Sequence, residues 1–325
     1  MTFIRYSCIA GFALFVMSWR ITLAATTPPI APAKASKDFK VVGYWASWNG
    51  KADALVYDGL THINFSFAVP KADGSLELRG NPAALRQMVV LAHKKNVKAC
   101  IAIGGWDLGD GGGNDVAFER LAASSAARTA FIKNTMKMVK DYHLDGVDVD
   151  WEYPDVGASS LYFDTLMTDL GKALHAEKKI LTAAVVLFGS IGDGIPASVF
   201  SMVDFINIMA YDNQTPPHSS YEVAQKSLKY WLDKGLPKEK AILGVPFYGR
   251  PSKEDGAYKS LVARDKAAPF KDEIDGCFYN GLSTMRAKTA FAIENGGGIM
   301  IWELASDTKD ATSLLKAITE IVKGQ

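Results

Sequence analysis

Several kinds of chemistry are excluded by what this chain lacks. Its 325 residues include five histidines, none in His-Glu-x-x-His, and three cysteines, none in Cys-x-x-Cys, so no dedicated metal site is expected. No G-x-S-x-G string is present, which removes the strained serine elbow of the hydrolases that use it. The first β-to-α turn lacks G-x-G-x-x-G. The Gly- and Asp-rich stretch 107–115 lacks the Gly-Lys-Ser/Thr of a phosphate loop and the closing Glu of a calcium loop, and reads as a plain βα loop. No cofactor is implied. Charge of one sign is scarce too: 36 Lys and Arg against 35 Asp and Glu leave a net +1. With no basic stripe, nucleic acid is not an expected partner.

What is present is an ordinary globular composition, 48% hydrophobic and 22% charged. Residues 1–24 read as a secretory signal, with Arg5 as positive start, Ile9 to Met17 as apolar core and Thr22-Leu23-Ala24 as cleavage site. The apolar run is too short to span a bilayer comfortably, so no membrane span is expected in the mature chain. A secreted protein, extracellular or periplasmic, is the expectation. Residues 25–38 hold Thr26-Thr27-Pro28-Pro29 and Pro32, a stiff proline-rich linker. Residues 39–325 then fit one large domain, since α/β barrels commonly reach about 250 residues. Cys8 would leave with the signal. Cys100 and Cys277 could pair, but the apolar run around Cys100 favours a buried thiol.

From residue 41 onward β-rich runs alternate with helical patterns, the mark of βα units and a parallel sheet. Strands are expected at 41–46, 61–68, 97–104, 145–154, 180–187, 203–211, 241–248 and 298–303. Helices are expected at 83–95, with Asn81 as cap and Leu85, Met88, Val89 and Ala92 on one stripe, and at 123–142, 159–177, 221–234, 282–294 and 310–322, with a short turn near 196–200. Eight strands, nearly all followed by a helix, predict an α/β fold of the (β/α)8 TIM barrel type. About 45 residues separate Arg250 from the last strand, too few for a large insertion domain between the seventh and eighth strands.

The most informative stretch is Asp145-Gly-Val-Asp-Val-Asp-Trp-Glu-Tyr-Pro154. As a strand, it puts Asp148, Asp150 and Glu152 on one face and Val147, Val149 and Trp151 on the other. Same-face neighbours lie roughly 6.5–7 Å apart along a strand. A row of acids that close cannot all ionise cheaply, so at least one pKa should rise. In a barrel the active site lies at the C-terminal ends of the strands. Glu152 falls there. Asp145 falls at the other end and should brace the strand, while Trp151 should be core.

The run Asp145-x-x-Asp148-x-Asp150-x-Glu152 resembles the signature of family 18 of the glycoside hydrolases, the chitinase family. Tyr44-Trp45, Phe65-Ser66-Phe67-Ala68, Gly104-Gly105-Trp106, Met209-Ala210-Tyr211-Asp212, Gly244 to Arg250 and Gly297 to Trp302 are similar to family positions on successive strands. The resemblance implies substrate-assisted retention, in which no protein carboxylate attacks the sugar. Glu152 would protonate the glycosidic oxygen and later deprotonate water. The substrate's 2-acetamido oxygen would close onto C1. Asp150 would stabilise the resulting oxazolinium, Asp148 would share a proton with Asp150, and the Tyr211 hydroxyl would hold the acetamido carbonyl.

The same resemblance makes Trp302 the floor of the central subsite, with Asp212 binding the same sugar and Met209 under its acetamido methyl. Tyr44 and Phe67 would line the mouth, Trp106 and Trp48 would serve as platforms beside it, and Tyr248 and Arg250 would also bind substrate. It departs at two places: the large insertion many members carry between strands seven and eight is missing, and a Ser expected two residues before Gly104 is Ala102, which removes a hydroxyl from beside the aspartates. Cys100 or water are the substitutes open to the chain. The implied function is a chitinase cutting β-1,4-linked N-acetylglucosamine polymers, endo-acting in a shallow cleft, and monomeric. An endo-β-N-acetylglucosaminidase on N-glycans or peptidoglycan is the alternative, and a non-catalytic lectin binding chitooligosaccharide stands behind it.

Overall fold

A computed structural model describes residues 34–106, 115–251 and 256–324. The expected signal, the expected linker up to residue 33 and the stretch 107–114 lie outside the described residues. Strands β1 (Lys40–Ala46), β2 (His62–Pro70), β4 (Lys98–Gly104), β5 (Gly146–Asp150), β6 (Ile180–Val186), β7 (Phe205–Met209), β8 (Ala241–Pro246) and β11 (Gly298–Trp302) pair in parallel. Because β1 pairs with both β2 and β11, the eight close into a barrel. A short strand, β3 (Leu76–Leu78), lies antiparallel on β2. The expected (β/α)8 barrel is what the chain forms, and no large domain interrupts it between β8 and β11.

Helix α1 (Pro82–Lys94) shows why local signals were sufficient there. Asn81 Oδ1 accepts from Ala83 N at 2.8 Å, Pro82 occupies the first turn, and Leu85, Met88, Val89 and Ala92 are buried. The helix expected over 123–142 is α3 (Ser125–Tyr142), and an unexpected one, α2 (Val116–Ala123), precedes it. Ser124 is extended and its hydroxyl accepts from Ala127 N, so it caps α3 and separates it from α2. Helices α4 (Ala158–Ala176), α5 (Val199–Met202) and α6 (Tyr221–Asp233) follow their strands.

After β8 come α7 (Tyr258–Arg264), a hairpin of β9 (Glu273–Ile274) and β10 (Cys277–Phe278), and α8 (Leu282–Asn295), of which only the last had a sequence signal. The closing helix α9 starts at Leu314, not 310. Asp307 accepts from Leu314 N and Leu315 N, and Ser313 caps the helix, which holds the preceding residues in a loop. Among the described residues no helix is long and apolar enough to cross a membrane. Cys100 and Cys277 are both buried free thiols and do not pair.

The barrel floor is held by a repeated clip. Asp145 accepts from Ala99 N (2.9 Å) and from His93, while its own N–H donates to Ala99 O. Asp204 does the same to Leu181, with His175. Asp145 is therefore the brace its position suggested. Around the outside of β5, Trp151 stacks on Phe118 at 4.8 Å and meets Phe163 edge-on at 5.7 Å, locking α2 and α4 to the strand that carries the acids.

Candidate active site

Strand β5 ends at Asp150, so Glu152 sits just past the barrel rim and not in the sheet. The alternation nevertheless holds: Val147, Val149 and Trp151 pack into the outer core, while Asp148 and Asp150 point into the barrel and are buried. Asp148 is gripped on both oxygens. Tyr44 OH donates to Oδ2 at 2.6 Å, and Thr182 Oγ1 and Asn207 Nδ2 donate to Oδ1 at 2.5 and 3.0 Å. Asn207 Nδ2 also donates to Tyr44 OH at 3.0 Å, which orients the phenol proton toward Asp148. Burial pushes the Asp148 pKa up, and these three donors oppose it.

Asp150 has no such support. Its Oδ1 is buried without a hydrogen-bond partner. Burial, then the charges of Glu152 and Asp148, push its pKa well above the carboxylate range. Glu152 rises to about 7, chiefly through burial; a bond from Tyr153 opposes the rise and the Asp212 charge adds to it. A half-buried acid still protonated near neutral pH at the open end of the barrel is equipped to give a proton and take it back.

Just past β7, two strands round the barrel from the acids, Tyr211 is buried, with its hydroxyl 3.8 Å from Met300 Sδ and its ring edge-on to Tyr248 at 6.1 Å. Asp212 follows in a left-handed conformation (φ 55°). Burial opposes its ionisation, but His218 and Arg250 hold its carboxyl below the usual range, with Arg250 Nε 2.7 Å away. Trp302 stacks on Phe67 at 5.8 Å, and Trp48 lies 6.2 Å from the same Phe67. Trp48 and Trp106 are 60% and 55% exposed, an unusual state for indole rings at a barrel mouth. The Gly-Gly before Trp106 is sterically required: a Cβ on Gly104 (φ 123°) would meet Asp150 O at 2.0 Å. A cavity of about 500 Å³ is lined among others by Trp48, Asn49, Tyr248, Arg250, Trp302 and Glu303, and Asp148, Asp150 and Glu152 are not part of its lining.

A model of glycosyl hydrolases family 18 matches residues 40–307, which contain all of these side chains. The chain belongs to family 18 of the glycoside hydrolases. It is 30% identical over 285 residues to a chitinase-like effector of Moniliophthora roreri, a match covering 78% of this chain and 68% of that protein. It is 28% identical over 272 residues to a probable endochitinase of Caenorhabditis elegans, covering 69% of this chain and 43% of that protein. Among solved structures, a family 18 chitinase from the chitin utilization locus of Flavobacterium johnsoniae superposes with a TM-score of 0.78 at 31% identity, over 89% of this chain and 94% of that one.

Within this family 18 site, one sequence-derived residue lies elsewhere than expected. Tyr44 was placed at the mouth, but it is 2% exposed and its hydroxyl is spent on Asp148; it lies beneath the cleft. Phe67 and Met209 pack in the same cluster as Trp302, at the top of the barrel lumen. Ala102 stands in register between Ser66 and Asp148. The hydroxyl it lacks is matched by Thr182, on the other side of Asp148, with Asn207 beside it, and no thiol contact from Cys100 is needed. Thr182 and Asn207 escaped the sequence reading. A polar residue inside Phe205-Ile-Asn-Ile-Met209 was the available signal, because a buried amide must find partners.

Proposed function

We propose that this family 18 chain is a retaining chitinase that cleaves β-1,4-linked N-acetylglucosamine polymers through the substrate's own acetamido group. The carrying observation is the unequal acid row: Asp148 saturated by donors, Asp150 without support, and Glu152 raised to about 7 at the barrel rim. Glu152 protonates the departing oxygen, and the 2-acetamido oxygen forms the bond to C1 as the glycosidic bond breaks. Asp150, relieved of its contact with the row, steadies the acetamido nitrogen, while Asp148 remains the anion that tunes it. Tyr211 holds the acetamido carbonyl. Water, deprotonated by Glu152, then opens the oxazolinium with net retention.

Trp302 is the floor for the sugar whose bond breaks, and the exposed Trp48 and Trp106 extend the platform to either side. Asp212, with Tyr248 and Arg250 behind it, binds the same sugar's polar edge. With no insertion domain walling the cleft, the chain enters a polymer at internal bonds. We also infer secretion, on the strength of residues 1–24 read as a signal; a mature N-terminus at or near Ala25 after expression in the native host would bear this out.

Defined N-acetylglucosamine oligomers, N-glycoprotein and peptidoglycan would be offered to the wild type and to Glu152→Gln. Retained β-anomers from internal bonds of the oligomers, abolished in Glu152→Gln with binding intact, are expected. Turnover of N-glycoprotein or peptidoglycan in preference to the oligomers would move the assignment to that polymer. Binding without any turnover by the wild type would make the chain a lectin, the reading that its similarity to a chitinase-like effector keeps in view.

A further inference from the structure

Lys288, on α8, is fully buried, yet its ammonium meets only neutral acceptors among the described residues. Nζ donates to Ser219 O and Ser219 Oγ, both at 2.8 Å, and to Asn280 Oδ1 at 2.7 Å. The acids that act on it through space are Asp272 and Glu222, and they offset only part of the effect of burial, which pulls its pKa down to about 7. The Asp272 carboxylate is itself occupied by Gly281 N and Thr284 Oγ1. An apolar side chain of the same length would avoid the penalty of burying a cation. Packing therefore does not account for the lysine; what it holds does.

What it holds is the base of the turn that presents two site residues. Ser219 Oγ donates to Ala210 O at 2.7 Å, so its oxygen can only accept from Lys288. Asn280 Nδ2 donates to Ser219 O and Tyr279 O, which turns its carbonyl toward the lysine. Three acceptors thus meet the three N–H groups of an ammonium, and donation runs one way, from Lys288 through Ser219 to Ala210. Between Ala210 and Ser219 the turn is closed by Asn213 N to His218 O and by Asp212 N to His218 Nδ1. It carries Tyr211 at its start and Asp212 next to it. We propose that Lys288 is a positioning residue, fastening the Ala210–Ser219 turn to α8 so that Tyr211 and Asp212 stay fixed against the acid row.

The catalytic consequence rests on the chitinase reading above, so the experiment separates the two. Turnover of the N-acetylglucosamine tetramer and its pH profile would be measured for the wild type, Lys288→Met, Ser219→Ala and the double variant, alongside thermal unfolding and hydrogen exchange of 210–219. Lys288→Met is expected to lower kcat roughly tenfold or more, as misplaced positioning groups do. It should also move the alkaline limb of kcat/KM to lower pH, because Asp212, whose charge helps raise Glu152, is released. A loss of folded protein alone would lower rates without moving that limb. Ser219→Ala should act in the same direction, and the double variant should be no worse than Lys288→Met. A folded Lys288→Met with wild-type kcat and an unmoved limb overturns the proposal. If Lys288→Met does not fold, an unchanged Ser219→Ala overturns it and a shifted limb supports it. If the wild type itself turns over nothing, the chitinase reading fails and exchange decides: faster exchange confined to 210–219 in Lys288→Met supports the fastening role, and unchanged exchange refutes it.

Discussion

Replacing Glu152 with Gln should stabilise the protein at neutral and alkaline pH, and the size of the effect follows from the site. Burial and the Asp212 charge move the Glu152 pKa from an ordinary 4.5 to about 7. The folded form therefore binds this proton more tightly than the unfolded chain does, and stability falls as pH rises from about 4.5 to about 7. At ~1.4 kcal/mol per pH unit, the interval corresponds to about 3 kcal/mol. A neutral glutamine has no such dependence. It also removes one of the charges that raise Asp150, an effect of the same sign. Urea unfolding of wild type and Glu152→Gln between pH 4 and 8.5 should give a difference that grows in favour of the variant through that window and levels off above it. A flat difference, or one that favours the wild type at pH 8, would refute the claim that burial holds the proton on Glu152. In the wild type the same titration should appear as the alkaline limb of kcat/KM near pH 7.

Other substitutions separate the layers of the site. Tyr44→Phe removes the donor to Asp148 Oδ2 and should cost about 2 kcal/mol in urea unfolding at neutral pH, the range for hydrogen bonds to charged groups, with a fall in kcat. A cost below about 0.5 kcal/mol would mean that Asp148 does not depend on it. Asp145→Ala strips the acceptor from Ala99 N at the opposite end of β5; a loss of about 1–3 kcal/mol with kcat unchanged is expected. Trp302→Ala should raise KM for N-acetylglucosamine oligomers about tenfold while the melting temperature stays within a few degrees, since the ring is half-buried at the rim; an unchanged KM would remove it from the binding floor.

Local chemistry carried most of this molecule. Asn81-Pro82 starts α1 because a cap and a proline act within one turn, and the Asp145–Pro154 run shows its two faces because strand parity needs no partner. Position along the strand set which of the four acids would meet the cleft, once a barrel was expected. Short elements were illegible: α2 has only eight residues and the β9–β10 hairpin has only two on each side. The tertiary structure decided how the acid row is divided. Whether an aspartate in a crowded row is an anion or an acid depends on donors from other strands, and those came from Tyr44, Thr182 and Asn207, 104, 34 and 59 residues away in the chain. Closure of the barrel brings them to Asp148 and leaves Asp150 bare. Likewise nothing around Lys288 in the sequence marks it as more than a surface lysine; only packing shows it buried against Ser219. A sequence states which groups are available, but the protonation and orientation of each are set by what the fold places within 3 Å of it.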